Sequence, residues 1–235
     1  MRIRFIDRMI AKIRKRRARV RDARKIREIL ENSSVVKLNL GCGSDIKSGW
    51  VNIDNDYYRQ NLSKLDFNWD LTKGLPFPDN SVDYMFNEHF LEHLTYNEAL
   101  MLLKDCRRAL KDGGVMRIAM PDLEKCVNDY LLEDWRAPLK LLMREVEERG
   151  DPEGKSWAMK YIARFKTRAQ LINNAFREAD GSHKWLYDFE EVSRLSREAG
   201  YSKIARCENS KSEHAELNNL ERNKYLSTLI VEMVK

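Results

Sequence analysis

A short apolar run, Leu38-Asn39-Leu40, breaks into Gly41-Cys42-Gly43, and after ten further residues a second run, Val51-Asn52-Ile53, ends on Asp54. This pairing constrains the fold more than any other feature of the chain. A Gly-x-Gly turn after a first strand lets a ligand lie directly against backbone, because no side chain intervenes. An acid at the end of the next strand can accept hydrogen bonds from both hydroxyls of a ribose. Position 46 is Ile46, so the third glycine of a dinucleotide fingerprint is missing. A pyrophosphate-binding helix start is therefore unsupported, and a nucleoside ligand without phosphate fits better. Ten residues are also too few for a crossover helix plus a strand. The first connection must be a short turn, which leaves this half of the pocket open.

Beyond this pair, short strand-like runs alternate with helices, the pattern of an α/β domain with a mostly parallel sheet. Strand candidates are Val35–Leu40, Val51–Asp54, Asn68–Leu71, Val82–Asn87, Val115–Met120, Ser202–Cys207 and Ser227–Val234. Thr95 and Glu98 have capping-box spacing, and Ala99, Leu102, Leu103, Cys106, Ala109 and Leu110 follow as one buried helical stripe. Asp112-Gly113-Gly114 is expected to stop that helix. Residues 123–182 interrupt the alternation with helical material and no clear strand. There Ile162, Phe165, Ala169, Ile172 and Phe176 make an apolar face beside Arg164 and Arg168. A further helix covers Asp188 to Ala199.

The net charge of +6 is unevenly placed. Residues 1–32 hold 13 Lys or Arg against 4 Asp or Glu, so the rest of the chain is slightly acidic. The expected division is a basic amphipathic helix over 1–34 and a single domain over 35–235, with 123–182 as a helical lid. Ile3, Ile6, Met9, Ile10 and Ile13, then Ile26, Ile29 and Leu30, recur at helical spacing in the arm. The arm lacks the continuous apolar core of a signal peptide, and its acids and lack of serine argue against a transit peptide. It can rest one face on the body or dock on an anionic membrane surface. No stretch approaches the ~18 to 20 apolar residues that cross a bilayer. The four cysteines form no C-x-x-C pair, so neither a disulfide framework nor a cysteine zinc site is indicated. A cytoplasmic protein, peripheral to the inner membrane face, is the expectation.

Further motifs follow in order: Asp70-Leu71, Leu75-Pro76-Phe77-Pro78-Asp79-Asn80-Ser81-Val82-Asp83 and Leu110-Lys111-Asp112-Gly113-Gly114. With Asn39–Gly43 and Trp50–Asp54 they resemble a class I S-adenosylmethionine-dependent methyltransferase. Glu88-His89-Phe90-Leu91-Glu92-His93-Leu94, His183-Lys184-Trp185-Leu186-Tyr187-Asp188 and Glu198-Ala199-Gly200-Tyr201 resemble a bacterial branch associated with surface-polysaccharide biosynthesis. The resemblance implies a Rossmann-like sheet of seven mostly parallel strands and S-adenosylmethionine as cofactor. Leu40, Gly41, Cys42 and Gly43 would line the methionine moiety and ribose. Asp54, with Asn55 beside it, would hold the ribose hydroxyls. Asp70 and the Leu71 backbone would read the adenine amino group, and Asn87 and Glu88 would lie under the methionine amino group.

Methyl transfer to oxygen or nitrogen needs alignment and a proton acceptor, and His suits that role near neutral pH. His183, where the insertion rejoins the body, is the favoured base or substrate contact, with His89 and Tyr187 as the other candidates. His93 abuts a helix start and has an equally good structural role, while His214 reads as solvated surface. His89-Phe90-Leu91-Glu92-His93 also spells the H-x-x-E-H of inverted zinc peptidases. No separate acidic ligand motif is evident, so no metal is expected. Arg164, Arg168 and Lys184 could meet an anionic acceptor, or form a solvated basic face. No Asn-Pro-Pro-Tyr-like tetrad follows the fourth strand, which weakens a nucleobase acceptor. A saccharide or envelope-precursor oxygen is the leading acceptor. RNA, a small metabolite, and a non-catalytic S-adenosylmethionine-binding scaffold remain as alternatives.

Overall fold

The structure, a computed structural model, describes residues 20–55, 64–177, 181–222 and 228–235. Seven strands form one sheet: β1 Lys37–Leu40, β2 Val51–Asp54, β3 Phe67–Asn68, β4 Val82–Glu88, β5 Leu110–Pro121, β6 Lys203–Arg206 and β7 Thr228–Val234. Their order is β3-β2-β1-β4-β5-β7-β6. The first five run parallel, while β7 is antiparallel to both β5 and β6. The α/β class and the mostly parallel sheet read from the sequence are the observed ones.

The helices are α1 over 20–32, α2 Tyr96–Ala109, α3 Leu123–Leu131, α4 Ala137–Glu148, α5 Pro152–Ala163, α6 Arg168–Arg177 and α7 Phe189–Glu198. Thr95 and Glu98 close a reciprocal capping box at the start of α2, whose buried stripe Ala99, Leu102, Leu103, Cys106 and Ala109 enters the core. Two expectations are corrected. Asp112-Gly113-Gly114 does not stop α2: the helix ends at Ala109, and Leu110 already pairs with Val82 as β5 begins. Gly113, at φ +78°, instead lies in a register shift of that strand pair, where a left-handed residue lets the strand bulge. The apolar face from Ile162 to Phe176 is not one helix, because the chain breaks between Ala163 and Arg168. Phe165 is buried while Phe176 is exposed.

No helix joins β1 to β2. Two buried asparagines replace it, facing each other in register. Asn39 Nδ2 donates to Asn52 Oδ1 at 3.0 Å and to the Asp45 carbonyl at 2.8 Å. Asn52 Nδ2 donates to the carbonyls of Lys47 and Trp50, both at 3.0 Å, and its Oδ1 accepts from Lys47 N at 2.9 Å. The turn's backbone is thus satisfied by side chains instead of a helical ladder.

Most of the basic arm lies outside the described residues, including Ile3 to Ile13. In the described part, Ile26 is buried and Ile29 and Leu30 pack on the core, and Lys25 Nζ donates to Asp66 Oδ1 at 2.8 Å. No helix among the described residues is long and apolar enough to cross a membrane.

Arg117, fully buried in β5, lies 2.5 Å from both Glu221 and Glu232, and donates to the carbonyls of Lys211 and Glu208 at 3.0 and 3.1 Å. Burial works against its charge, and the two carboxylates outweigh that. These contacts fasten the connection between β6 and β7 across the sheet. Arg117→Gln leaves two buried carboxylates without their cation, so it should cost about 3–5 kcal/mol. Urea denaturation should show the midpoint falling with little change in slope.

Candidate cofactor and acceptor site

The carboxyl ends of the parallel strands β1, β2, β4 and β5 lie along one edge of the sheet, where sheets of this kind bind ligands in a crevice. Gly41 and Gly43 both hold left-handed backbone, at φ +64° and +50°. Asp54, ending β2, accepts from Gly43 N through Oδ2 and from Asn55 N through Oδ1, each at 2.6 Å. Its carboxylate therefore sets the shape of the glycine turn. A Cβ on Gly41 would come within 2.3 Å of Phe90 Cγ, whereas one on Gly43 would meet nothing within 4 Å. Gly41 admits the Phe90 ring, and Gly43 keeps an open backbone face.

Leu40 is fully buried behind this turn. Cys42 is buried too, and burial first, then the charge of Asp54, pushes its thiol up to about 12. It is a neutral wall, not a nucleophile. Asn87, fully buried, donates through Nδ2 to the Leu40 carbonyl at 3.0 Å, while its Oδ1 has no partner among the described residues. Asp70 is already engaged: it accepts from Thr72 N and Oγ1 and from Lys73 Nζ, capping the single 3-10 turn Leu71–Lys73. The Lys73 contact, then Thr72, holds its carboxyl below the usual range. Leu71 is buried in the core.

Glu88 accepts from Arg222 N through both oxygens at 3.0 Å, and Arg222 Nη1 donates to Ser44 Oγ at 3.1 Å. Arg222 thus bridges β4 and the glycine turn from the opposite end of the chain. Sequence reasoning missed it, since no local pattern marks a residue that acts 178 positions away.

S-adenosylmethionine carries a ribose diol and an ammonium but no phosphate. The crevice offers a carboxylate at its rim, an open glycine backbone and an unpartnered buried amide oxygen. Those residues fit the group: Asp54 for the diol, Asn87 for the ammonium, and Gly43 against the chain between them.

Beside this crevice a cavity of about 380 Å³ lies under the insertion. Pro121, His89, His93 and His183 line it from the sheet side, and Cys126, Asp129, Leu139, Trp157, Tyr161, Arg164 and Ile172 from α3 to α6 and their connections. His89 follows β4 directly and adopts φ +49°, which is uncommon for a residue with a side chain and marks a held geometry. Its Nδ1 lies 3.0 Å from Oε1 of Glu92, a fully buried carboxylate. Burial raises the Glu92 pKa, but the hydrogen bond and charge of His89 outweigh it and leave the carboxyl below its ordinary range.

The His93 and His183 rings meet edge to face at 4.9 Å, and His183 Nδ1 lies 2.7 Å from the Ala175 carbonyl. Lys184 N and Trp185 N donate to the Glu92 carbonyl at 2.8 and 3.2 Å, tying the His183 segment to the turn that carries Glu92 and His93. His89, His183 and Arg164 are therefore brought together, and Tyr187, Arg168 and Lys184 stand apart from them. Tyr187 is a core residue, its phenol pushed up by burial and then by Glu191 and Glu92. Arg168 Nη1 donates to the Tyr130 carbonyl at 3.2 Å, and Lys184 Nζ pairs with Glu98 at 3.6 Å. In the sequence, the place of Glu92 in H-x-x-E-H is the one signal that marks it.

Residues 38–118 match a family model described as a methyltransferase domain. No curated protein matches the chain. Among solved structures, a methyltransferase dependent on S-adenosylmethionine from Archaeoglobus fulgidus is similar at 18% identity and a TM-score of 0.47, covering 93% of this chain and 94% of that one. Another from Thermotoga maritima is similar at 14% identity and a TM-score of 0.48, covering 97% of each. At those values neither likeness carries an argument, and the domain match together with the crevice does. Residues 38–118 are therefore similar to a methyltransferase domain, and the residues around the glycine turn fit S-adenosylmethionine.

Proposed function

We propose that the enzyme methylates an oxygen of a saccharide or related envelope precursor held in the 380 Å³ cavity. The observation that carries this reading is the cavity's mixed lining of aromatic and polar side chains. Trp157 and Tyr161 stack at 5.1 Å with an interplanar angle of 16°, a flat apolar wall suited to the C–H face of a sugar ring. The same lining carries His89, Asp129 and Arg164, which can hydrogen-bond hydroxyls or meet an acidic or phosphorylated substituent. The volume falls within the range of about 300–1,000 Å³ common to small-ligand sites. A free metabolite of similar size remains the second reading. An RNA acceptor would need a broad basic surface, and the body beyond residue 32 is slightly acidic.

When bound, S-adenosylmethionine supplies an electrophilic methyl group. Asp54 and Asn87 would hold the cofactor's ribose and ammonium ends, and the insertion would cover the acceptor side. His89, oriented by Glu92, is the imidazole placed to accept the acceptor's hydroxyl proton, as a carboxylate orients the base in paired catalytic groups. His183 lines the same space as an acceptor contact.

Calorimetry with S-adenosylhomocysteine tests the cofactor crevice. Asp54→Ala should weaken binding by about 2–3 kcal/mol, the scale for a hydrogen-bonded charged group, and unchanged affinity would displace Asp54 from its role. Screening methyl transfer onto nucleotide sugars, lipid-linked glycans and total RNA tests the acceptor. Dominant RNA labelling would overturn the saccharide reading. His89→Ala should lower turnover by about 10²-fold or more while homocysteine-product affinity survives.

For the basic arm over residues 1–32 we propose an anionic membrane surface, tested on residues 1–19, which hold nine basic groups and one acid. Removing them should leave cofactor affinity intact and abolish flotation with phosphatidylserine vesicles. A full-length protein that does not float overturns that proposal.

A further inference from the structure

We propose that Glu92, His93 and His183 bind a divalent transition-metal ion on the floor of the acceptor cavity. This goes beyond the acceptor assignment and does not depend on it.

One ligand atom from each of the three residues lies within 4.8 Å of the other two. Two ligands on one tetrahedral ion, each about 2.0–2.2 Å from it, stand roughly 3.3–3.6 Å apart. The observed set, within 4.8 Å, lies close to that spacing and must draw together on binding. Glu92 supplies the independent observation. It is fully buried, one oxygen engages His89, and the other, Oε2, has no hydrogen-bond partner among the described residues. A buried carboxylate oxygen left without a partner is costly, and a cation between it and two imidazoles removes that cost.

The framework is already built. His93 follows Glu92 in the same 3-10 turn, Leu91–His93, and Lys184 N, one residue beyond His183, donates to the Glu92 carbonyl at 2.8 Å. His183 Nδ1 sits 2.7 Å from the Ala175 carbonyl. A backbone carbonyl at one ring nitrogen is the usual outer partner that orients a metal-bound histidine. His89 on Glu92 Oε1 plays the same part for the carboxylate. Two imidazoles and one carboxylate suit zinc, manganese, cobalt or ferrous iron better than magnesium or calcium, which prefer oxygen. Three protein ligands leave a position open, and His93 and His183 both line the cavity. The H-x-x-E-H spelling supplied two of the ligands, and the third comes from 90 residues downstream, where no spacing rule reaches.

The test uses full-length protein freed of metal by a chelator and then titrated with zinc chloride by calorimetry. Cobalt chloride is followed in parallel by visible absorption, which reports low-coordinate nitrogen and oxygen ligation. One equivalent of zinc should bind, with cobalt bands appearing at the same stoichiometry. His93→Ala and His183→Ala should each weaken zinc binding about 10-fold or more and erase the cobalt bands, while the surface variant His214→Ala changes neither. Folding of each variant is followed by its melting temperature and S-adenosylhomocysteine affinity, both expected to hold. Absence of binding, or zinc binding that survives both substitutions, overturns the proposal. Neither result bears on the cofactor crevice, whose failure would appear instead as lost homocysteine-product affinity in the unsubstituted protein.

Discussion

The amide pair of Asn39 and Asn52 is the interaction on which the rest of the site depends. Two strands that run parallel need a crossover, and here the chain has only a short turn in which to make it. A short turn without a helical ladder leaves its inward-facing backbone groups to be met by side chains. The two asparagines satisfy the carbonyls of Asp45, Lys47 and Trp50 and the Lys47 amide. Each group left unmet would cost about 1–3 kcal/mol. Asn52 N donates onward to Asp66 Oδ2 at 2.9 Å, and Asp66 takes Lys25 of α1 at 2.8 Å. The β1–β2 turn, β3 and the end of the basic arm are thus joined through one polar seam. Asp54 comes to rest against Gly43 because this turn has a single shape.

A second seam closes the opposite side. Arg117 takes two carboxylates and two carbonyls inside the protein, which satisfies most of its donors and neutralises its charge. Such a network contributes less to stability than to uniqueness, since apolar groups of equal size could fill the space. What it specifies is the path of residues 208–222. That path brings Leu217 against Trp50, Phe86 and Val115 and delivers Arg222 to Glu88 and Ser44. A β7 antiparallel to β5 is what returns the chain to this side of the crevice.

Much of the sheet could be read from the chain, because buried parallel strands are short apolar runs bounded by turn residues. Leu38–Leu40, Val51–Asp54 and the capping box of α2 needed no tertiary information. Local signals failed where tertiary pairing overrode them. Gly113 has the conformation of a helix stop, yet Leu110 pairs with Val82 and the strand starts before the glycine is reached. The stripe from Ile162 to Phe176 keeps helical spacing across a break, since periodicity does not register four residues that turn the axis. What the sequence made legible here is the turn itself, with Gly41 and Gly43 in left-handed backbone and Asp54 accepting from Gly43 N, because backbone geometry dictates residue type there. Tyr187 and Lys184 sit beside the right residues in sequence but face the core and Glu98. Arg222 and the grouping of Glu92 with His183 depend on chain returns that no single-sequence pattern encodes.

The imidazole cluster also explains why the insertion belongs to the fold and is not merely appended to it. Its last segment is stitched to the body at three points: Lys184 N on Glu92 O, Leu123 N on Tyr187 O, and the bridge between Asp122 and Tyr187. Asp122 at the same time caps α3 and pairs with Arg206 of β6. Entry to and exit from the insertion are therefore held side by side at the end of β5. The helices between them form a closed loop over the cavity, free to differ in sequence without disturbing the sheet. In the proposed reading α3 to α6 recognise the acceptor, and His89, Glu92, His93 and His183 lie on the body below. Chemistry and specificity are thus carried by different elements, with the polar floor of the cavity as their common surface.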